Sequence, residues 1–327
     1  MSLITVKNLQ KSFQISKRKP GLFGAIGSLF YSKKEIIQAV ENVSFEIQPG
    51  EFLGYIGPNG AGKSTTIKLL TGVLTPDQGE IRIFGLDPSR DRRENSKQIG
   101  VVFGQKTQLW WDLPVGESFD LLRSIYKIES KDYKKRMEMF NDLLGLQEFF
   151  HQQVRKLSLG QRMKAEIAAS LLHFPRVLFL DEPTIGLDVL VKEKVREFIR
   201  TINVEEKVTI LLTTHDVQDI EYLAKRIILI DHGKIRFDGD LNSFRGLGAT
   251  DNVVEIQYRG DSILEFPSEF TWIRNGTPNQ ASIIVKEGES LNRLLSILSS
   301  SGLEITEINF KKPDLGAVIK QIYGEKP

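Results

Sequence analysis

The stretch "GPNGAGKST", residues 57–65, sets Gly57, four residues, Gly62, Lys63 and Ser64 between an apolar run, "FLGYI", and a segment whose Ile67 and Leu70 share a helical face. Glycines at these places let the backbone curl until its N–H groups converge. The helix that follows aims its positive end at the curl, and Lys63 adds a full charge. A strand, loop and helix of this kind suit a nucleoside triphosphate, with the Ser64 hydroxyl available to Mg²⁺. The chain is thereby predicted to be α/β, with the run before Gly57 a buried strand.

Further runs, "VVF", "VLFL", "TILL" and "IILI", are continuously apolar rather than alternating, as strands buried on both faces of a parallel sheet should be. The opening "ITVKNLQKSF" and "IIQAVENVSFEI" alternate and read as antiparallel strands, joined later by "GEIRIFG". Between Val115 and Phe150 the pattern becomes helical and charged, so a helical subdomain near 106–172 is expected to separate two halves of the sheet. Glycines and polar residues in "FRGLGATDN" suggest a boundary, giving a main domain over 1–246 and a small α+β domain over 247–327. In the latter Val254, Ile256 and Tyr258 alternate, and Leu291, Leu294, Leu295 and Leu298 recur at helical spacing.

Composition sets limits on partners. Across 327 residues, Lys+Arg 44 against Asp+Glu 42 leaves a charge of +2, which gives no reason to expect nucleic acid. Without cysteine there are neither disulfides nor thiolate metal sites, and a cytoplasmic setting is expected. No apolar run approaches the about 20 residues that a spanning helix needs, and "MSLITVKNLQKSF" is no signal segment. The chain is not expected to cross a membrane by itself.

Three other places carry chemistry. "RVLFLDEP" is a buried strand ending in Asp181, which can organise Mg²⁺, and Glu182, which can orient or deprotonate a water for in-line attack on the γ-phosphorus. At "LLTTHD" an apolar strand ends in His215, able to donate to charge developing on that phosphate, with Asp216 placed to cap the next helix. His151, His173 and His232 lack such placement and read as structural. In "LSLGQRMKAEIAASLLHF", Met163, Ile167 and Leu171 give a helix its apolar face, while Ser158 and Gly160 stand at its positive end. Ser158 reads either as a plain N-cap or as part of a second anion site.

Together these residues resemble the ATP-binding subunits of ABC transporters over roughly Ile4 to Asp240, in motif order, spacing and sequence. The resemblance identifies "GPNGAGKST" with the Walker A loop, Gln105 with the glutamine loop, "LSLGQ" with the signature, "VLFLDEP" with Walker B, Asp188 with the D-loop and His215 with the switch histidine. Phe13 takes the place of the aromatic that stacks on adenine. It implies a P-loop NTPase fold of the ABC ATPase type, with helical and antiparallel β subdomains, and ATP and Mg²⁺ as ligands.

The implied roles follow residue by residue. Gly57, Pro58, Asn59, Gly60, Ala61, Gly62, Lys63, Ser64 and Thr65 hold the phosphates. Ser64, Gln105 and Asp181 serve Mg²⁺, Glu182 and His215 act on the γ-phosphate with Gln105, and Ser158, Gly160 and Gln161, with Asp188, complete the site of a second ATPase subunit. Integral membrane permease subunits are the implied partners, and the cytoplasmic face of the membrane the implied location.

Leu159 departs from the family's second signature glycine, and Phe13 from its more frequent tyrosine. The subgroup most resembled is the exporters of drugs and polysaccharides. An importer subunit, or a soluble ABC ATPase of DNA repair or translation, is the alternative. An insertion near 17–35 sets Lys17, Arg18, Lys19, Lys33 and Lys34 around an apolar centre, either a membrane-surface element or an ordinary loop. Of the pair Trp110 and Trp111, at least one is expected to be buried.

Overall fold

The computed structural model describes residues 2–16, 34–104, 106–247, 252–259, 270–274, 280–285, 291–300, 304–311 and 315–322. The basic insertion falls outside these residues apart from the backbone of Lys34 and Glu35, and so does Gln105.

The apolar runs become strands β3 (Phe52–Ile56), β5 (Ile99–Phe103), β6 (Val177–Asp181), β7 (Thr209–Thr214) and β8 (Arg226–Asp231), with β9 (Lys234–Asp240) closing the order β5-β6-β7-β3-β8-β9. Neighbours from β5 to β8 pair in parallel. Every residue of β3 and of β7 is buried, which is why these segments carry no polar alternation. Only the two residues His232 and Gly233, both at positive φ (45° and 77°), separate β8 from β9, the signature of a tight hairpin.

A second, antiparallel sheet has the order β2-β1-β4, built from β1 (Ile4–Ser16), β2 (Lys34–Ile47) and β4 (Gln78–Ile83). Ile4 lies opposite both Ile47 and Ile83 in register. Its inward residues share one core with the parallel sheet, with the Phe45 and Tyr55 rings 5.9 Å apart. Helix α1 (Lys63–Leu70) packs Ile67, Leu69 and Leu70 into that core. The short α2 (Arg92–Ser96) lies before β5.

Between β5 and β6 come α3 (Val115–Tyr126), α4 (Ser130–Leu144), two 3₁₀ turns and α5 (Leu159–Leu171). Helix α4 buries only Arg136, Phe140 and Leu144, one residue per turn, so a highly charged helix still docks by a narrow stripe. Phe140 meets Phe198 of α6 (Val189–Glu205) edge to face at 6.0 Å. Lys127 and Gly145 end α3 and α4 in the left-handed conformation. After β7 the chain enters α7 (Val217–Leu223), capped by the Asp216 side chain accepting from the Gln218 N–H.

The chain divides into compact units at 1–239 and 240–327. The division comes earlier than the glycines near 246 suggest, because α8 (Leu241–Arg245) packs with α10 (Leu315–Ile322) inside the second unit. Asp240 caps α8 by accepting from the N–H groups of Asn242 and Ser243. That unit is an antiparallel sheet, β11 (Thr271–Arg274), β12 (Gln280–Val285), β10 (Asn252–Arg259) and β13 (Glu304–Lys311) in that order, with α9 (Leu291–Ser300). Val254 and Ile256 of β10 and Leu294 and Leu298 of α9 form its core.

Candidate nucleotide site

The loop from Gly57 to Gly62 connects β3 to α1, and its glycines meet different demands. A Cβ on Gly62 would lie 2.2 Å from the Ala39 carbonyl oxygen at a φ of +109°, and one on Gly57 would lie 2.3 Å from the Ile230 carbonyl oxygen. Gly60 (φ +81°) meets nothing within 4 Å, so only its backbone conformation calls for glycine. Gly57 and Gly62 thus let the loop lie directly against the main chains of Ile230 and Ala39.

Lys63 is 5% exposed, and its Nζ donates to the carbonyl oxygens of Gly57 (2.7 Å) and Pro58 (3.1 Å). Burial lowers its pKa, against the opposing pull of Glu182 and Asp181, with Glu182 Oε1 at 3.7 Å. The Ser64 hydroxyl donates to Asp181 Oδ1 at 3.1 Å, and Thr213 donates to the same oxygen at 2.6 Å. Ser64, Lys68, Phe103, Gly104, Lys106, Asp181, Glu182 and Ile185 line a cleft of about 250 Å³.

Glu182 holds a φ of 53°, in the left-handed region, where a residue with a Cβ is strained by about 1–3 kcal/mol. Its N–H donates to the Thr213 carbonyl (2.9 Å), and the Gly104 N–H to the Asp181 carbonyl (2.9 Å), which fixes this bend at the strand end. A Cβ on Gly104 would come within 2.7 Å of the carbonyl oxygens of both Asp181 and Glu182. The bend turns Glu182 into the cleft, where its Oε2 meets His215 Nδ1 at 3.4 Å.

Ser158 begins α5 with a reciprocal cap: the Gln161 N–H donates to Ser158 Oγ (3.2 Å), and the Ser158 N–H to Gln161 Oε1 (3.0 Å). The bland and the functional readings of Ser158 are compatible, because capping uses one lone pair and leaves the O–H free to donate. Gly160 lies against Val191, which a Cβ would approach to 3.1 Å, and Leu159 packs against Gly186. Asp188 caps α6, accepting from the Val191 N–H at 3.0 Å. None of residues 157–161 lines the cleft around Ser64 and Glu182.

Phe13, on β1, is 37% exposed, with Lys11 Nζ 5.8 Å from its ring centre. The expectation of a buried tryptophan fails: Trp110 and Trp111 are 37% and 47% exposed. Apolarity alone suggested burial, but in this turn it is Leu109 that is buried while both tryptophans face outward, Arg162 over the Trp111 ring at 5.6 Å. His173 is half-buried, stacked on Tyr126 at 4.0 Å with Nε2 3.0 Å from the Ile99 carbonyl oxygen. Sequence reading missed Thr213, although "LLTTHD" placed it at a strand end beside the acids. It also missed Glu166, buried on α5, which accepts from the Thr107 hydroxyl and the Gln108 N–H.

A family model described as ABC transporter matches residues 40–185. The chain is 34% identical over 214 residues to the ABC transporter ATP-binding protein NatA of Bacillus subtilis (strain 168), a match spanning 65% of this chain and 87% of that protein. It belongs to the ABC transporter ATP-binding proteins. The linearmycin resistance ATP-binding protein LnrL of the same organism is 30% identical over 70% of this chain and 72% of its own length. A dimeric ATP-binding cassette solved in a post-hydrolysis state with ADP and Pi matches with a TM-score of 0.60 and 28% identity, over 73% of this chain and 98% of that one.

The fold is thus the P-loop NTPase fold of the ABC ATPases, a family that binds ATP with Mg²⁺ and hydrolyses it. A soluble role in DNA repair or translation is not favoured by these relatives, whose names include both import and drug resistance. Among the described residues no helix is long and apolar enough to cross a membrane, and no group of three His, Asp or Glu side chains forms a metal cage. Mg²⁺ keeps several waters and takes one or two protein oxygens beside phosphate. The Ser64 hydroxyl and Asp181 carboxylate, 3.1 Å apart beside the Gly57–Gly62 loop, fit that requirement.

Proposed function

We propose that this ABC ATPase hydrolyses MgATP at a centre finished by a second ATPase subunit, and drives export through separate membrane subunits from the cytoplasmic face. One observation carries the reading: Ser64, Asp181 and Glu182 line one cleft, and Lys63 and His215 both contact Glu182, whereas the positive end of α5 at Ser158 does not line that cleft.

In this mechanism the backbone of Gly57 to Thr65 and Lys63 bind the phosphates, and Ser64 and Asp181 would hold Mg²⁺, with Gln105 as an expected further ligand. Phe13 offers its ring to the adenine. When bound, Mg²⁺ neutralises charge on the phosphate oxygens. Glu182 orients and polarises the attacking water, and His215, in contact with Glu182, donates to the γ-phosphate as charge develops. From the partner, Ser158, Gly160 and Gln161 supply hydroxyl and N–H donors at a helix start, with Asp188 placing the adjoining helix. Closure therefore depends on the γ-phosphate that both subunits hold, and hydrolysis releases it.

Export is supported by the likeness to the linearmycin resistance protein. Glu182→Gln should bind MgATP, turn it over very slowly and accumulate as a closed dimer in size-exclusion chromatography; near-normal turnover would remove Glu182 from this role. Direction is tested by identifying the integral subunits that co-purify from native membranes. Importer-type subunits with a substrate-binding protein would reverse it.

A further inference from the structure

Behind the hydrolytic pair lies a buried polar cluster that the mechanism above does not use. Asp219, on α7, is 0% exposed, and its two carboxylate oxygens receive three side-chain donors. Oδ2 accepts from the hydroxyls of Thr184 and of Thr214, the latter at 3.1 Å. Oδ1 accepts from Arg196 Nε at 2.6 Å. All three donors are themselves nine-tenths or more buried. A buried carboxylate left without these donors would face a large desolvation cost, so the four groups hold one another in a single arrangement.

The places these donors occupy give the cluster its meaning. Thr184 is two residues beyond Glu182, in the bend that carries Glu182 at positive φ. Thr214 directly precedes His215, and its hydroxyl also accepts from the Asp216 N–H at 2.9 Å, so His215 is gripped on both sides. Arg196 lies on α6, the helix capped by Asp188, and reaches Asp216 Oδ2 at 3.5 Å, where Lys192 also donates at 2.7 Å. One carboxylate thus ties together the loop after β6, the loop after β7 and the helix that follows the D-loop.

We propose that Asp219 is a positioning residue for hydrolysis, which fixes Glu182 and His215 at their 3.4 Å contact by holding Thr184 and Thr214 on a single oxygen and Arg196 on the other. The inference rests on the roles given above to Glu182 and His215. None of the four groups lines the cleft, so MgATP affinity is expected to be independent of them.

The test is steady-state ATPase activity of the full chain, with MgATP affinity measured by calorimetry, for Thr184→Val, Thr214→Val, Asp219→Asn and their combinations. Each single variant should lower kcat by about tenfold while KM and MgATP affinity stay put, since a small misplacement of catalytic groups has that kind of cost. Because both threonines act through one oxygen, the double threonine variant should lose far less than the product of the single losses, and neither should add to Asp219→Asn. Should Asp219→Asn fail to fold, the threonine pair alone decides, as it leaves the Arg196 ion pair in place. Losses that multiply, or a raised KM at unchanged kcat, overturn the proposal, as do threonine variants of full activity beside an inactive Glu182→Gln. If Glu182→Gln itself stays active, the catalytic reading fails first and takes this inference with it.

Discussion

Single residues of the phosphate cradle make separable predictions. Gly62→Ala drives a methyl to 2.2 Å from the Ala39 carbonyl at a φ of +109°, so the loop must shift, and MgATP binding should be lost. Gly60→Ala meets open space and should cost only the left-handed backbone penalty, about 1 kcal/mol, with binding retained. Isothermal titration with MgATP and a thermal melt of both variants check the contrast. Loop chemistry of this kind was legible because it is local: spacing, glycine and lysine are adjacent in the chain. The strained backbone of Glu182 was not, since it is imposed by Thr213 and Gly104, residues distant in sequence whose main chains meet only in the folded sheet.

Helix α5 joins two functions that one pair of substitutions can pull apart. Ser158→Ala removes the cap and should lower stability by about 1 kcal/mol along with activity. Ser158→Asp keeps a good cap but replaces the hydroxyl donor with a negative charge, so it should melt like the parent and yet lose ATPase activity. Thermal melts set beside turnover rates distinguish them. A second prediction concerns His173, between α5 and β6, whose pKa burial lowers from 6.5 to about 4. Below pH 6.5 the unfolded chain takes up a proton that the folded chain refuses, so stability falls as pH drops toward 4. Between pH 7 and pH 5 the loss should be about 2 kcal/mol, and smaller in His173→Gln, as followed by denaturant titration at each pH. The helical pattern here was readable from Met163, Ile167 and Leu171, all of which are buried. Exposure of Trp110 and Trp111 was not, because periodicity cannot tell an apolar side chain in the core from one set on the surface.

For the whole molecule, continuous and alternating apolar runs foretold the parallel and antiparallel sheets, and the helical region between β5 and β6. The compact units part at 239/240, ahead of the glycines near 246, because α8 packs with α10, which comes some 70 residues later in the chain. Long-range polar ties such as Thr184 to Asp219 or Thr107 to Glu166 leave no spacing to read. The central claim is that one copy carries the phosphate cradle and another the donors that finish it. Mixing Lys63→Met chains with Ser158→Asp chains tests this directly, since each alone lacks one half of every site. Random pairing makes half the dimers mixed, each with one whole site of two, so about a quarter of the parent ATPase rate should return. A mixture no more active than its separate components, or a Ser158→Asp chain that hydrolyses ATP alone at the parent rate, would contradict the claim.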